Sequence, residues 1–533
     1  MRRSSVIVAA SVAVAVTVLA GCTAPESQKT KVEIGASPNQ DVLALPDGSI
    51  DAAIKKLPDV VRSAMERSGV PGIAVSVVHG DETVFAEGYG VRKKGEDAEV
   101  DADTVFQIAS LSKPVGATVV ATQVSQGVVD WTSPVAESLP GFALADPWIT
   151  EHATIGDFYA HRTGLPFAAG DLLEDIGYDR TYVLDHLALQ PLAPFRASYA
   201  YANFGITVGA EAVATAAGTD WATLSEEQLY DPLGMDATSS RYEDFLAQDN
   251  RASLHAMVGE GEFEPRFERD PDAQSPAGGV SSSANDLAQW MRLVLAGGTY
   301  AGAELIAEAA LLPALSPQNV SAPPHALDQR AGQYGYGFGV GMQPSGRVTL
   351  SHSGAFILGA ATNVQMLPSA DLGIVVLTNG APIGVPEAIA AEFVDLVQFG
   401  YSTRDWLGDY GQAMAGYHQP AGDLTGETPP ANPAPAQPLS AYAGTYANDY
   451  YGAAVVSEED GMLTLAVGPD GGSTAQLDPW DGDTFAFIPL GENAPAGSLS
   501  SAVFTIAGGA ATSMTLDFFN AEPGLLGTWT RVP

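Results

Sequence analysis

The chain has 533 residues, a formal net charge of −39 at pH 7 and 46% hydrophobic residues. So large an excess of acid excludes nucleic acid as a partner, since a phosphate backbone needs a basic face, and gives no attraction to anionic lipid. The apolar content suffices for a large core, the length exceeds that of a typical single domain, and most of the 63 acidic residues read as a solvated surface.

In chain order, the first feature is Met1-Arg2-Arg3, followed by an apolar run from Val6 to Ala20 and by Leu19-Ala20-Gly21-Cys22. A basic start, a short apolar core and small residues before a break describe an export signal over residues 1–21 rather than a membrane span. The tetrapeptide resembles the lipobox of bacterial lipoproteins. That resemblance implies cleavage before Cys22, acylation of Cys22, and attachment to the extracytoplasmic face of a bacterial cell membrane through the lipid anchor. Cys22 is the only cysteine, so the mature protein has no internal disulfide. Residues 22–45 read as a polar tether.

Residues 46–404 mix strand and helix signals in one domain-sized span. Pro71 to Val78 is a β run, with a turn at His79-Gly80-Asp81 into a second strand over Glu82–Gly90. Leu111 to Gln126 is apolar at helical spacing, with Pro114 in the first turn, where a missing N–H costs nothing. Val280 to Leu295 starts with a serine run and reads as a helix stopped by Gly297-Gly298. Arg347–Ser353, Ala360–Leu367 and Gly373–Thr378 are strand-like. Strands at both ends with helices between predict one antiparallel sheet flanked by helices, together with a helical region: an α+β domain. Residues 405–438 carry Pro420, Pro429, Pro430, Pro433, Pro435 and Pro438 and read as a Pro-rich, partly stiff linker. Residues 439–533 alternate short β runs with Gly and Asp turns and predict a separate, small all-β barrel or sandwich.

Three motifs in the first domain carry chemistry. Ser110-Leu111-Ser112-Lys113 places a hydroxyl and an amine three residues apart, on one face of a helix, and Lys113 is the only one of seven lysines with a serine three positions before it. A serine hydroxyl needs a base to become a nucleophile, and a lysine whose pKa is lowered by burial is such a base. Tyr201-Ala202-Asn203 supplies a phenol, which beside a cationic lysine works near its phenolate form, and an amide that both donates and accepts. Its second copy, Tyr446-Ala447-Asn448, falls in the β-rich tail and reads as structural. His352-Ser353-Gly354 lies on a predicted strand whose edge is suited to an extended substrate, and His352 alone among eight histidines is followed by x-Gly. The N–H groups of Ser110 and Ala355 are candidates for an oxyanion hole.

That ordered set resembles the serine β-lactamase and penicillin-binding protein superfamily, in the branch with class C β-lactamases, D-Ala-D-Ala carboxypeptidases and related esterases. The likeness includes His161-Arg162-Thr163-Gly164-Leu165-Pro166, Pro232-Leu233-Gly234-Met235 and Ala277-Gly278-Gly279-Val280-Ser281-Ser282. The tail, from about Tyr442, resembles the lipocalin-like β domain that follows such catalytic domains. The resemblance implies a β-lactamase/transpeptidase-like fold with Ser110 as nucleophile, Lys113 as base and Tyr201 as proton shuttle. It implies that Asn203 positions the substrate and that His352 stands where class C lactamases carry a lysine. A histidine holds positive charge less firmly at neutral pH, which weakens recognition of a β-lactam carboxylate.

The sequence therefore predicts a lipid-anchored serine hydrolase that forms an acyl-enzyme on esters, D-amino-acid amides or peptides, or β-lactams, with peptidase or esterase activity ahead of efficient antibiotic breakdown. Its partners are a small-molecule or cell-wall peptide substrate and, through Cys22, the membrane. The rival expectation is a catalytically silent binding lipoprotein of the cell envelope. No cofactor or metal is expected: the chain has no His-Glu-x-x-His, no Gly-x-x-x-x-Gly-Lys loop and no Gly-x-Ser-x-Gly elbow.

Overall fold

The computed structural model describes residues 44–520, 524 and 526–533. The expected signal, the lipidation site at Cys22 and nearly all of the tether lie outside the described residues.

Helix α1 (Ser49–Ser68) buries Ala53, Leu57, Val61 and Ala64 along one stripe and ends at Gly69, whose φ of 76° suits a residue without a Cβ. Strands β1 (Gly72–His79) and β2 (Glu82–Gly90) form a hairpin. The helical region follows, with α2 (Ser112–Ser125), α3 (Asn203–Ala217) and α4 (Ala284–Leu295) as its longer helices. The chain then returns to the sheet as β3 (Asn319–Ala322), β4 (Gly332–Tyr334), β5 (Gly339–Met342), β6 (Val348–Phe356), β7 (Ala360–Leu367) and β8 (Leu372–Thr378). The eight strands make one antiparallel sheet in the order β2-β1-β8-β7-β6-β5-β4-β3. Both ends of the domain therefore meet at β1 and β8, as expected from the sequence.

The central strands are apolar on both faces because both faces are covered. Side chains alternate across a strand: Val75, Val77, Ile374 and Val376 pack with α1 and with α5 (Val385–Phe399). Ala74, Val78, Val375 and Leu377 instead join the core shared with α2, α3 and α4.

The segment expected to be an extended linker is helical at its start. Helix α6 (Trp406–Met414) and a 3₁₀ turn at Ala415–His418 precede the first proline, Pro420. Trp406 donates its indole N–H to Asp395 Oδ2 on α5 at 2.7 Å. No proline falls within residues 406–418, and although Gly408 and Gly411 weaken a helix, the indole and its hydrogen bond tie it down.

The C-terminal unit is an eight-stranded closed antiparallel barrel: β9 (Gly444–Ala447), β10 (Ala454–Glu459), β11 (Met462–Val467), β12 (Ser473–Asp481), β13 (Thr484–Phe487), β14 (Ser500–Ala507), β15 (Ala510–Leu516) and β16 (Thr528–Arg531). Pairing of β9 with both β10 and β16 closes it and removes the exposed edges. Tyr446 and Trp529 are fully buried within it, and Tyr446 donates to Tyr442 O at 2.5 Å. The second Tyr-x-Asn copy is thus part of the barrel. Among the described residues no helix is long and apolar enough to cross a membrane, and no group of His, Cys, Asp and Glu is arranged to hold a metal ion.

Candidate active site

Ser110 sits in a single 3₁₀ turn, Ala109–Leu111, that runs directly into α2. Ala109, just before it, has a φ of 48°, a left-handed conformation that L residues hold only when their surroundings enforce it. Those surroundings are Ser112 Oγ, which donates to Ala109 O at 2.6 Å and accepts from Val280 N–H at 3.0 Å. Ile108 N–H adds a bond to Val280 O at 3.0 Å. The Ala-Gly-Gly-Val-Ser-Ser segment, singled out in the sequence, is therefore the brace of the Ser110 turn.

Lys113 is completely buried. Its Nζ lies 3.0 Å from Ser110 Oγ, 2.7 Å from Asn203 Oδ1 and 2.8 Å from Ala277 O. The last two are carbonyl oxygens, which only accept. They occupy two N–H groups, and a neutral amine then turns its lone pair to the Ser110 O–H. Burial lowers the Lys113 pKa to about 7, against the opposing pull of Asp171, so the neutral form is well populated at physiological pH.

Tyr201 lies in the loop before α3. Its hydroxyl hydrogen-bonds the Ser110 side chain, and Lys113 Nζ stands 4.5 Å from its ring centroid. The expectation of a phenolate is overturned: burial holds the Tyr201 pKa well above 10, despite the bond from Ser110. With a pKa of about 7 the lysine beside it is only partly charged at neutral pH and does not offset that burial. Asn203, the first residue of α3, accepts from Lys113 and donates to Asp171 Oδ2 at 3.0 Å. Its amide holds the lysine in place.

His352, Ser353, Gly354 and Ala355 all lie on β6. This strand is internal to the sheet, but β5 pairs only with Val348–Ser351, so the half that carries the motif extends beyond its neighbour. Ser110, His352, Ser353 and Ala355 line one cavity of about 540 Å³. Gly354 does not line it. A Cβ there would stand 2.1 Å from Ile108 O, 2.4 Å from Thr362 Oγ1 and 3.0 Å from Leu111 N. The glycine lets β6 approach the Ser110 turn rather than a substrate.

His352 is half-buried among aromatic rings, and its pKa falls to about 3 through desolvation first and the nearby Lys113 second. It is neutral. Its Nδ1 lies 2.6 Å from Ser353 O and must donate, so Nε2 accepts from the Tyr334 hydroxyl at 2.9 Å.

Several contributors were given no role at the site from the sequence. Tyr334 fixes His352. His161, with φ 53°, accepts the Ala202 N–H at Nδ1 (3.2 Å) and packs its ring 4.6 Å from that of Tyr201. The His-Arg-Thr-Gly segment that carries it is anchored by Asp157, which binds both Arg162 and Arg196 at 2.7 Å. Glu387 on α5 and Glu492 and Asn493 in the barrel loop between β13 and β14 also line the cavity. The loop is pinned there. Arg269 binds Glu174 Oε2 and Glu492 Oε2, each at 2.9 Å; Ile357 N–H donates to Glu492 Oε1 at 2.7 Å; and Asn493 Nδ2 donates to Asp175 Oδ2 at 2.7 Å. These residues come from four separate segments, so no spacing in the sequence joins them.

The chain is similar to several known proteins. Residues 428–528 match a domain of unknown function, DUF3471. Unguisins hydrolase ungD of Aspergillus violaceofuscus is 28% identical over 473 residues, covering 81% of this chain and 80% of that protein. Penicillin-binding protein 4 of Amycolatopsis lactamdurans is 28% identical over 383 residues, covering 71% and 93%. The octameric penicillin-binding protein homologue from Pyrococcus abyssi superposes with a TM-score of 0.58 at 18% identity, covering 87% of this chain and 98% of that one, a likeness of fold. Residues 57–399 match the Beta-lactamase family, and since they make up well over half of the 533 residues, the chain belongs to that family.

Proposed function

We propose that this protein is a serine hydrolase that works through an acyl-enzyme on Ser110, acting on esters or on amino-acid amides and peptides in preference to β-lactams. The observation that carries the reading is the Lys113 amine, with two N–H groups spent on Asn203 Oδ1 and Ala277 O and its third direction on Ser110 Oγ at 3.0 Å.

In this reading neutral Lys113 takes the proton as Ser110 Oγ bonds to the substrate carbonyl carbon. The resulting oxyanion meets the N–H groups of Ser110 and Ala355. The neutral Tyr201 phenol passes a proton to the leaving group, which departs as an alcohol or amine, and is reprotonated from Lys113. Water then adds to the acyl-serine by the reverse proton path, releasing the acid and restoring Ser110. His352 and Ser353 line the substrate cavity, and Asn203 keeps Lys113 aimed.

The electrostatics support the order of substrates. His352 is neutral, and Arg269 is committed to Glu174 and Glu492. The cavity thus offers a β-lactam carboxylate no free cation, while Asp171, Glu387 and Glu492 line it. The names of relatives, an unguisins hydrolase and a penicillin-binding protein, are compatible with an acyl-transfer site of this kind.

Incubation with a fluorophosphonate and with a fluorescent penicillin tests the proposal. The expected result is a mass shift on the Ser110 peptide, absent from Ser110→Ala, together with turnover of a p-nitrophenyl ester or an amino-acid amide above that of nitrocefin. No label from either reagent would instead favour a silent binding protein. We also propose lipidation at Cys22 and display on the outer face of the cell membrane. Partition into detergent, lost in Cys22→Ser, is the measurement.

A further inference from the structure

Glu387 lies in the first turn of α5 and lines the same cavity as Ser110. An acid in a first turn offsets the helix dipole, and a surface position would suffice for that. Glu387 is instead only 5% exposed, and its Oε2 is buried with no hydrogen-bond partner in the protein. The Ser353 side chain hydrogen-bonds its carboxyl group. A buried carboxylate oxygen left unpaired is costly, and the residue that carries it lines the cavity that also holds the candidate nucleophile. The charged groups around that cavity are Asp171, Glu174, Asp175, Glu492 and Arg269. The one cation among them is held by two of the acids.

We propose that Glu387 is the specificity-determining residue of the site and binds a protonated amine of the substrate through Oε2. This rests on the serine hydrolase reading and narrows it: the preferred substrates carry an ammonium group, and those with a carboxylate in its place are rejected. The chemistry is that of a charge-assisted N–H···O bond in a desolvated site, together with repulsion of anions by the acids that line it.

The groups packed against Glu387 allow its ionisation to be read. The Ser353 hydroxyl faces it from β6, Tyr410 from α6, and Tyr417 lines the same cavity from the turn that follows. The other basic groups of this region are His352, which is neutral, Lys113 beneath Ser110, and Arg404, which acts on Tyr410. Burial raises the Glu387 pKa to about 7, so its negative charge, and with it the preference for ammonium, grows as pH rises from 6 to 8. Alkylammonium ions stay protonated throughout that range.

The test uses the full chain and a neutral p-nitrophenyl ester, with short n-alkylamines, n-alkanols and n-alkanoates of two to six carbons as competitors. The best amine is expected to have an inhibition constant at least about ten-fold below that of its matched alcohol and acid, and this advantage is expected to increase from pH 6 to pH 8. In Glu387→Gln the advantage and its pH dependence are expected to vanish together. Should that variant fail to fold, Glu387→Asp, which keeps the charge but withdraws it by one methylene, is read at pH 8, where Lys113 is largely neutral: a reduced amine advantage is expected, and an unchanged one overturns the inference. Equal inhibition by amine and alcohol, in a protein whose Ser110 is labelled by fluorophosphonate, overturns this inference and leaves the serine hydrolase reading intact. An unlabelled Ser110 overturns both.

Discussion

The Tyr334 hydroxyl donates to Nε2 of His352 over 2.9 Å, because the other ring nitrogen is committed to Ser353 O at 2.6 Å. Ser353 O thereby sets the tautomer of a histidine in the cavity, and Tyr334 satisfies the nitrogen left as acceptor. Tyr334→Phe removes the donor and leaves a buried acceptor unpaired. It is expected to lower the unfolding free energy by about 1–3 kcal/mol, measured by urea denaturation.

Lys113 must be neutral to take the Ser110 proton, and its pKa is depressed to about 7. The rate kcat/KM on a neutral ester is therefore expected to rise with pH through a midpoint near 7, since deprotonation creates the active form. Lys113→Arg keeps a charged side chain that does not deprotonate and should lose roughly 10³-fold in rate. A variant retaining a tenth of the activity would contradict the role given to this amine.

The same shift affects stability. In the unfolded chain a lysine releases its proton near pH 10.4, so between pH 7 and about 10 the unfolded state binds one proton more than the native state. Stability then rises with pH in that window and is lowest below 7, where the buried amine is charged. Compared with Lys113→Met, the wild type is expected to gain up to about 1.4 kcal/mol per pH unit there. Parallel denaturation curves at pH 6, 7.5 and 9 measure the difference.

Gly354→Ala tests the approach of β6 to the Ser110 turn. The added Cβ would stand 2.1 Å from Ile108 O, so either the strand or the turn must move. A displacement of about 1 Å at a nucleophile costs on the order of 10² in rate. Loss of activity and of Ser110 labelling, with circular dichroism of the sheet retained, is the expected result.

Arg269 is the cation around which the barrel loop docks on the catalytic domain. Arg269→Gln leaves Glu174, Asp175 and Glu492 without it, and burial already raises all three pKa values, that of Glu492 to about 7. A loss of about 3–5 kcal/mol is expected at pH 8. It should shrink at pH 5.5, where the carboxyls take up protons and repel each other less. Proteolytic cleavage in residues 488–499, faster in the variant at pH 8 than at pH 5.5, reports the release of the loop.

Much of this architecture is legible in the residues. The β1–β2 hairpin is written in an apolar run broken at His79-Gly80-Asp81, and α2 in the apolar stretch after Lys113. The three motifs were readable because each is short and keeps its chemistry at a local spacing. The helix over Trp406–Met414 was hidden by the prolines that follow it, and the neutral state of Tyr201 by a burial that no local pattern records. Tyr334, Glu387 and Arg269 had no motif at all, and His161 stood in a segment noted for its likeness but given no role at the site.

By itself the amino-acid sequence determined the kind of fold and the chemical groups on offer. Periodicity and turn residues act over a few positions, and a serine three residues from a lysine on a helix is close to it whatever else the chain does. Which groups are charged was decided only in the tertiary structure. Desolvation of Lys113, His352 and Glu387 comes from segments hundreds of residues apart closing over one cavity, and the proton affinity of a group depends on the water that this packing removes.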